Sequence, residues 1–220
     1  MIVDTMTFKE VADAIVKAKV SSLKRMFALM DSKKKEYMRI INNWGDKRCD
    51  FKYFFIEKND IQLYLCPYSR IKRDCKKNGL CFFLFAKVYY KHNIYWCMVT
   101  MANKVSFFKN HLFERYLERH CEMSEGSEVT PEVVQNFFRE TDTLFTGKTY
   151  STEQHPNGVL AGTSIGTCCG DMVDEIVIYK TFIDATTVNY YKKRIYDTHP
   201  KDLRERLDSL SLIKNLYLCA

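Results

Sequence analysis

Asn110 to His120 reads Asn-His-Leu-Phe-Glu-Arg-Tyr-Leu-Glu-Arg-His. The stretch brings two histidines, two arginines and two glutamates within about three helical turns. At about 100° per residue, His111, Arg115, Glu118 and Arg119 share one stripe of a helix. Leu112, Phe113, Tyr116 and Leu117 occupy the adjoining face, which can bury. An imidazole with guanidinium groups at i+4 and i+8 suits the binding and cleavage of a phosphodiester.

Cleaving RNA without a metal takes a base for the 2′-hydroxyl proton, cations for the phosphorane and an acid for the leaving oxygen. Histidine suits the first or last because it ordinarily titrates near about 6.5. Arginine suits the second because its planar fork grips phosphate through two hydrogen bonds. Glu114 or Glu118 can orient the histidine or an arginine. The competing reading is a charged outer face of i,i+4 pairs, with His111 incidental.

The phrase His-x-x-x-Arg-x-x-x-Arg, a second helix, short strands and a last strand ending Lys180-Thr181-Phe182-Ile183 resemble the barnase–EndoU–colicin–RelE group of small endoribonucleases. The resemblance covers roughly residues 106–184. It implies a helix packed on an antiparallel sheet and metal-independent RNA cleavage leaving a 2′,3′-cyclic phosphate. It also implies His111 as the helix histidine, Arg115 and Arg119 as phosphate-binding arginines and Thr181 as the strand hydroxyl beside them. The group commonly has a small residue after the histidine, where this chain has Leu112. His155, in a His-Pro-Asn-Gly turn before a strand, is a further candidate. Asn157 to Gly162 and Tyr179 to Ile183 are also similar to uncharacterised proteins of gut Bacteroidetes.

A second group of residues suits a polyanion. Arg70, Lys72, Arg73, Lys76 and Lys77 follow Tyr68 in a polar loop; cations interleaved with an aromatic can track a phosphate backbone and stack a base. Tyr89, Tyr90, Tyr95 and Trp96 are candidates for a stacking platform or for sheet core. Tyr190 and Tyr191 precede Lys192, Lys193 and Arg194 in a similar pattern. Residues 1–110 hold 22 Lys and Arg against 10 Asp and Glu, a surplus of 12; residues 111–220 hold 12 against 17, a deficit of 5. The basic half fits nucleic acid better than an anionic membrane surface, the alternative being a merely soluble basic protein.

Other chemistries lack their motifs. No cysteine pair has C-x-x-C spacing, and Cys168-Cys169 suits neither a zinc knuckle nor an easy disulfide. Asp171, Asp174 and Glu175 lack calcium-loop spacing. No phosphate-binding glycine loop occurs, and the glycine-bounded Gly162-Thr163-Ser164-Ile165-Gly166 reads as a strand and turn, not as a nucleophile elbow. No metal and no cofactor is therefore expected. No run reaches the about 18 apolar residues of a membrane span, and no signal peptide is visible. The 9 cysteines then point to free thiols in a reducing, cytoplasmic setting.

The elements that must position these residues follow from periodicity. Thr7 and Glu10 form a capping box for a helix whose apolar pattern runs to Trp44, continuous or broken at Asp31 to Glu36. From residue 50 the period becomes two, predicting a four-stranded meander over 50–101 with turns at Asn59-Asp60 and Lys91 to Asn93 and a strand end at Pro67. Ser106 is a plausible N-cap for the central helix, and Thr130-Pro131 starts the next. Strands follow at 144–151, 158–165 and 175–183, with Gly162, Gly166 and Gly170 marking turns or close backbone approaches. Residues 186–220 read as C-terminal helices.

These elements predict an α+β fold, a central antiparallel sheet with helices packed on it. It forms one domain or a compact pair of lobes: a helical segment over 1–45, the meander over 50–101, the candidate site over 106–184 and helices over 186–220. The leading function is a metal-independent endoribonuclease, toxin-like, with RNA as substrate and a protein antitoxin or other protein as partner. The alternatives are a non-catalytic nucleic-acid-binding or protein-interaction module and a structural protein without a ligand.

Overall fold

Thr7 opens the first helix as the sequence predicts. In the computed structural model its hydroxyl accepts from the Glu10 amide, and the Glu10 carboxylate accepts from the Thr7 amide. The structure describes residues 2–44, 47–70, 72, 75, 79–141, 146–150 and 156–185. It divides into two compact units, Met1–Phe107 with Asp174–Ile176, and Phe108–Val173 with Val177–Ala220. The fold class is α+β, with helices and antiparallel strands in separate runs. No described helix is long and apolar enough to cross a membrane.

In the first unit, α1 (Phe8–Ser32) and α2 (Lys34–Trp44) are separate helices joined at Lys33. The strands are β1 (Cys49–Asp50), β2 (Phe54–Lys58), β3 (Ile61–Ser69), β4 (Cys81–Tyr90), β5 (Asn93–Val99) and the start of β6 (Val105–Lys109). The order is β1-β3-β4-β5-β6, with β2 also on β3. Both predicted hairpins form, and Asn59, Asp60, Lys91 and His92 all adopt positive φ, as a two-residue primed turn requires. Pro67 does not end β3. β2 pairs with Ile61 to Leu65 and β1 with Tyr68 and Ser69, so Pro67 falls in the gap between them, where its missing N–H costs no ladder bond.

Helix α1 packs over the sheet, nearest β2 and β3, and its two ends reach rings of β4. Phe8 at its start meets Tyr90, and Phe27 near its end meets Phe82, with centroids 5.1 and 5.2 Å apart. Tyr64 stacks on Phe85 at 4.8 Å, and Phe85 meets Trp96 at 5.9 Å. Lys19 is buried, and its ammonium donates to the Thr100 carbonyl and to Asn103 Oδ1 at 2.9 and 2.6 Å. Burial pushes that amine below the usual lysine range.

In the second unit, α3 (Asn110–Arg119) and α4 (Pro131–Glu140) share an aromatic core of Phe108, Phe113, Tyr116, Phe137, Phe138 and Phe182. The predicted cap at Ser106 is not formed. Val105 and Phe107 continue the alternating apolar pattern as β6, and α3 starts three residues later than that cap implied. β7 (Thr146–Tyr150), β8 (Gly158–Gly162) and β9 (Gly166–Val173) are antiparallel neighbours, with β10 (Ile176–Asp184) beside β9. Residues 186–220 and His155 lie outside the described residues.

β9 was hidden in the sequence by its glycines. Gly166 and Gly170 lie within a strand, not a turn, because a side chain there would run into β10. A Cβ on Gly170 would stand 2.7 Å from the Tyr179 Cα and collide with the Ile178 carbonyl. Gly170→Ala is therefore expected to destabilise the protein by about 1–3 kcal/mol. A shift of the denaturant midpoint measures this, and an unchanged midpoint would refute the close approach.

Candidate functional site

The apolar stripe of α3 sets its rotation. Leu112, Phe113, Tyr116 and Leu117 are buried. Phe113 and Tyr116 each meet the Phe137 ring edge-on, at 5.2 and 5.1 Å. The opposite stripe then faces solvent, and the His111 side chain is 51% exposed.

The exposed groups form a chain of short contacts. Asn110 Nδ2 donates to Glu114 Oε1 at 2.8 Å, and His111 Nδ1 lies 3.1 Å from Glu114 Oε2. Arg115 Nε donates to His111 Nε2 at 3.3 Å, and Arg115 Nη1 donates to Glu118 at 2.6 Å. An arginine has no acceptor, so the ring nitrogen facing it must be the acceptor. The imidazole proton then sits on Nδ1 and is donated to Glu114. In this tautomer the ring is oriented by a carboxylate, with its Nε2 lone pair on the side of a guanidinium.

The remaining sequence candidates lie elsewhere. Arg119 Nη1 donates to the Phe182 carbonyl at 2.6 Å, so this arginine straps the end of α3 to β10. Its charge draws down the Cys169 thiol, which burial pushes up to about 11. Thr181 does not join His111. Phe182 packs on Tyr116 and Phe137, at 5.9 Å to each. Side chains alternate along a strand, so Thr181 leaves β10 on the face opposite Phe182, away from α3.

Of the basic loop, Arg70 is exposed and Lys72 Nζ donates to the Asn42 carbonyl at 3.0 Å. Arg73, Lys76 and Lys77 lie outside the described residues, as do Tyr190 to Arg194. Tyr68 already carries the Arg48 guanidinium over its ring, at 4.6 Å. Tyr90, Tyr95 and Trp96 are core residues, and of that group only Tyr89 is exposed. Among the described residues, no cluster of three His, Cys, Asp or Glu is arranged to hold a metal.

Sequence reasoning missed His120. Its ring stacks on Tyr116 with centroids 5.4 Å apart. Nε2 lies 3.3 Å from Glu140, and Nδ1 lies 3.4 Å from Asp184, whose side chain is 8% exposed. Tyr116 also donates to Glu140, at 2.8 Å. The i,i+4 spacing of Tyr116 and His120 is visible in the sequence, but Glu140 and Asp184 come from other elements. This clasp joins the ends of α3, α4 and β10.

Burial, then the bond to Glu140, pushes the Tyr116 phenol well above its ordinary range. The folded chain therefore holds a proton that the unfolded chain releases. Its stabilising effect is complete below the ordinary phenol range, about 10, and is lost as pH rises above it. Tyr116→Phe should flatten that alkaline loss, measured as melting temperature against pH. An equally steep loss in the variant would refute the assignment. The chain matches no family model, no curated protein and no solved structure.

Proposed function

We propose that the chain cleaves RNA without a metal, using His111 as base. The observation that carries this reading is the engagement of both ring nitrogens, Nδ1 by Glu114 and Nε2 by Arg115. Glu114 holds the tautomer, and once Arg115 turns its N–H from Nε2 to the phosphate, Nε2 takes the proton of a ribose 2′-hydroxyl. O2′ then attacks phosphorus, the P–O5′ bond breaks, and O5′ takes a proton from water, whose hydroxide recovers the proton held on Nε2. Arg115, steadied by Glu118, meets the charge that grows on the phosphorane. Arg119 anchors the helix, and Thr181 takes no part in the step.

Three further features support the reading. The half-exposed histidine is open to a large substrate. The first 110 residues carry a positive surplus suited to RNA. The eight described cysteines are free, which fits a reducing compartment such as the cytoplasm.

The test is incubation of the pure protein with mixed RNA in EDTA. Wild type should yield 2′,3′-cyclic phosphate ends. His111→Ala should lose about 100-fold or more of the rate, and Glu114→Gln a smaller part. Circular dichroism should show both variants folded, since neither side chain is in the core. Binding without cleavage by wild type would sink the enzyme and leave a nucleic-acid-binding module.

A further inference from the structure

Helix α2 is docked by one face and charged on the other. Tyr37 and Ile41 are buried with Cys49, Phe51 and Cys75, and Tyr37 stacks on Phe51 at 4.0 Å. That contact turns Lys34, Lys35 and Arg39 to solvent. Among the described residues none of these three has a carboxylate partner; the nearby ion pair is Lys33 with Glu36, at 3.0 Å. They line an open groove of about 740 Å³, with Asn42 and Asn43 further along and Asp31 at its α1 end. Lys72 adds a fourth cation through its bond to the Asn42 carbonyl. The negative end of the helix dipole favours a cation there. Trp44, the last residue of α2, is 59% exposed.

We infer that this groove binds single-stranded nucleic acid. Phosphates run along Lys34, Lys35, Arg39 and Lys72, the amides of Asn42 and Asn43 reach sugar and base edges, and a base stacks on Trp44. Charge complementarity selects a polyanion, because Lys34, Lys35 and Arg39 have no carboxylate partner among the described residues. The aromatic selects single strands, because a duplex hides its base faces. A lipid surface would use the cations and leave both amides without a role. Asp31 repels a phosphate at its end of the groove, so the backbone runs from Lys34 toward Lys72. An 11-residue helix is about 16 Å long, which suits a short site of a few nucleotides.

The inference does not depend on cleavage at His111. The full chain is titrated in EDTA with a labelled, non-cleavable 2′-O-methyl strand, and anisotropy and tryptophan emission are read together. Of the 2 tryptophans Trp96 is fully buried, so quenching reports Trp44. Saturable quenching is expected, and Trp44→Phe should abolish it. Combined Lys34→Glu, Lys35→Glu and Arg39→Glu should weaken binding by about tenfold or more and reduce the salt slope by about 2. These exposed positions should leave the melting temperature unchanged. Wild-type affinity and slope in that variant would overturn the inference. So would equal competition by duplex RNA or by phosphatidylserine vesicles, which would mark a general polyanion surface or a membrane surface. If this strand binds and natural RNA stays intact, the groove stands and the ribonuclease reading falls. If RNA is cut and the groove variant still binds as wild type, the reverse holds.

Discussion

Burial of Phe113 and Tyr116 against Phe137 governs the second unit. Each large side chain taken out of water contributes about 1.5–3 kcal/mol, whereas an exposed ion pair on a helix contributes about 0.3–0.5 kcal/mol. The aromatic core therefore decides how α3 is rotated, and its charges accept the rotation they are given. With Leu112, Phe113, Tyr116 and Leu117 inward, His111 and Arg115 are left on the outer stripe. The same logic applies to α2, where Tyr37 and Ile41 go inward and Lys34, Lys35 and Arg39 go outward.

One helical phrase then yields two histidines in different settings. His111 has one carboxylate, one guanidinium and open water. His120 has two carboxylates and a stacked tyrosine, and its side chain is 30% exposed. The first retains a basic nitrogen beside a cation, as proton transfer near a phosphate requires. The second ties three element ends together, as a clasp does. The carboxylates of α3 serve within the helix, since Glu114 sets a tautomer and Glu118 steadies a guanidinium.

The sequence made the local features legible. The Thr7 capping box, the 81–90 strand, the Lys91-His92 turn and the Pro131 helix start all depend on neighbours in the chain. It was weaker where a distant partner decides. β9 was masked because Gly166 and Gly170 answer to β10, not to a turn. β6 was taken for the approach to a helix because five residues carry too short a pattern to separate the two. At the site, the i,i+3 and i,i+4 contacts of His111, Glu114, Arg115 and Glu118 were readable from spacing. The Arg119 strap and the His120 clasp were not, because their partners Phe182 and Asp184 come more than sixty residues later.

The ring contacts between the ends of α1 and β4 have a consequence for synthesis. The helix leaves the ribosome before the sheet, but Phe8 and Phe27 have no rings to meet until Tyr90 and Phe82 exist. At ordinary elongation rates that wait lasts on the order of 5–15 s. For that interval the nascent chain displays an amphipathic helix with an unsatisfied apolar stripe, a natural substrate for a holding chaperone. The meander from β2 to β5 needs no such wait, because each strand pairs with its neighbour in sequence. The meander can thus pair before both ends of α1 have their rings to meet.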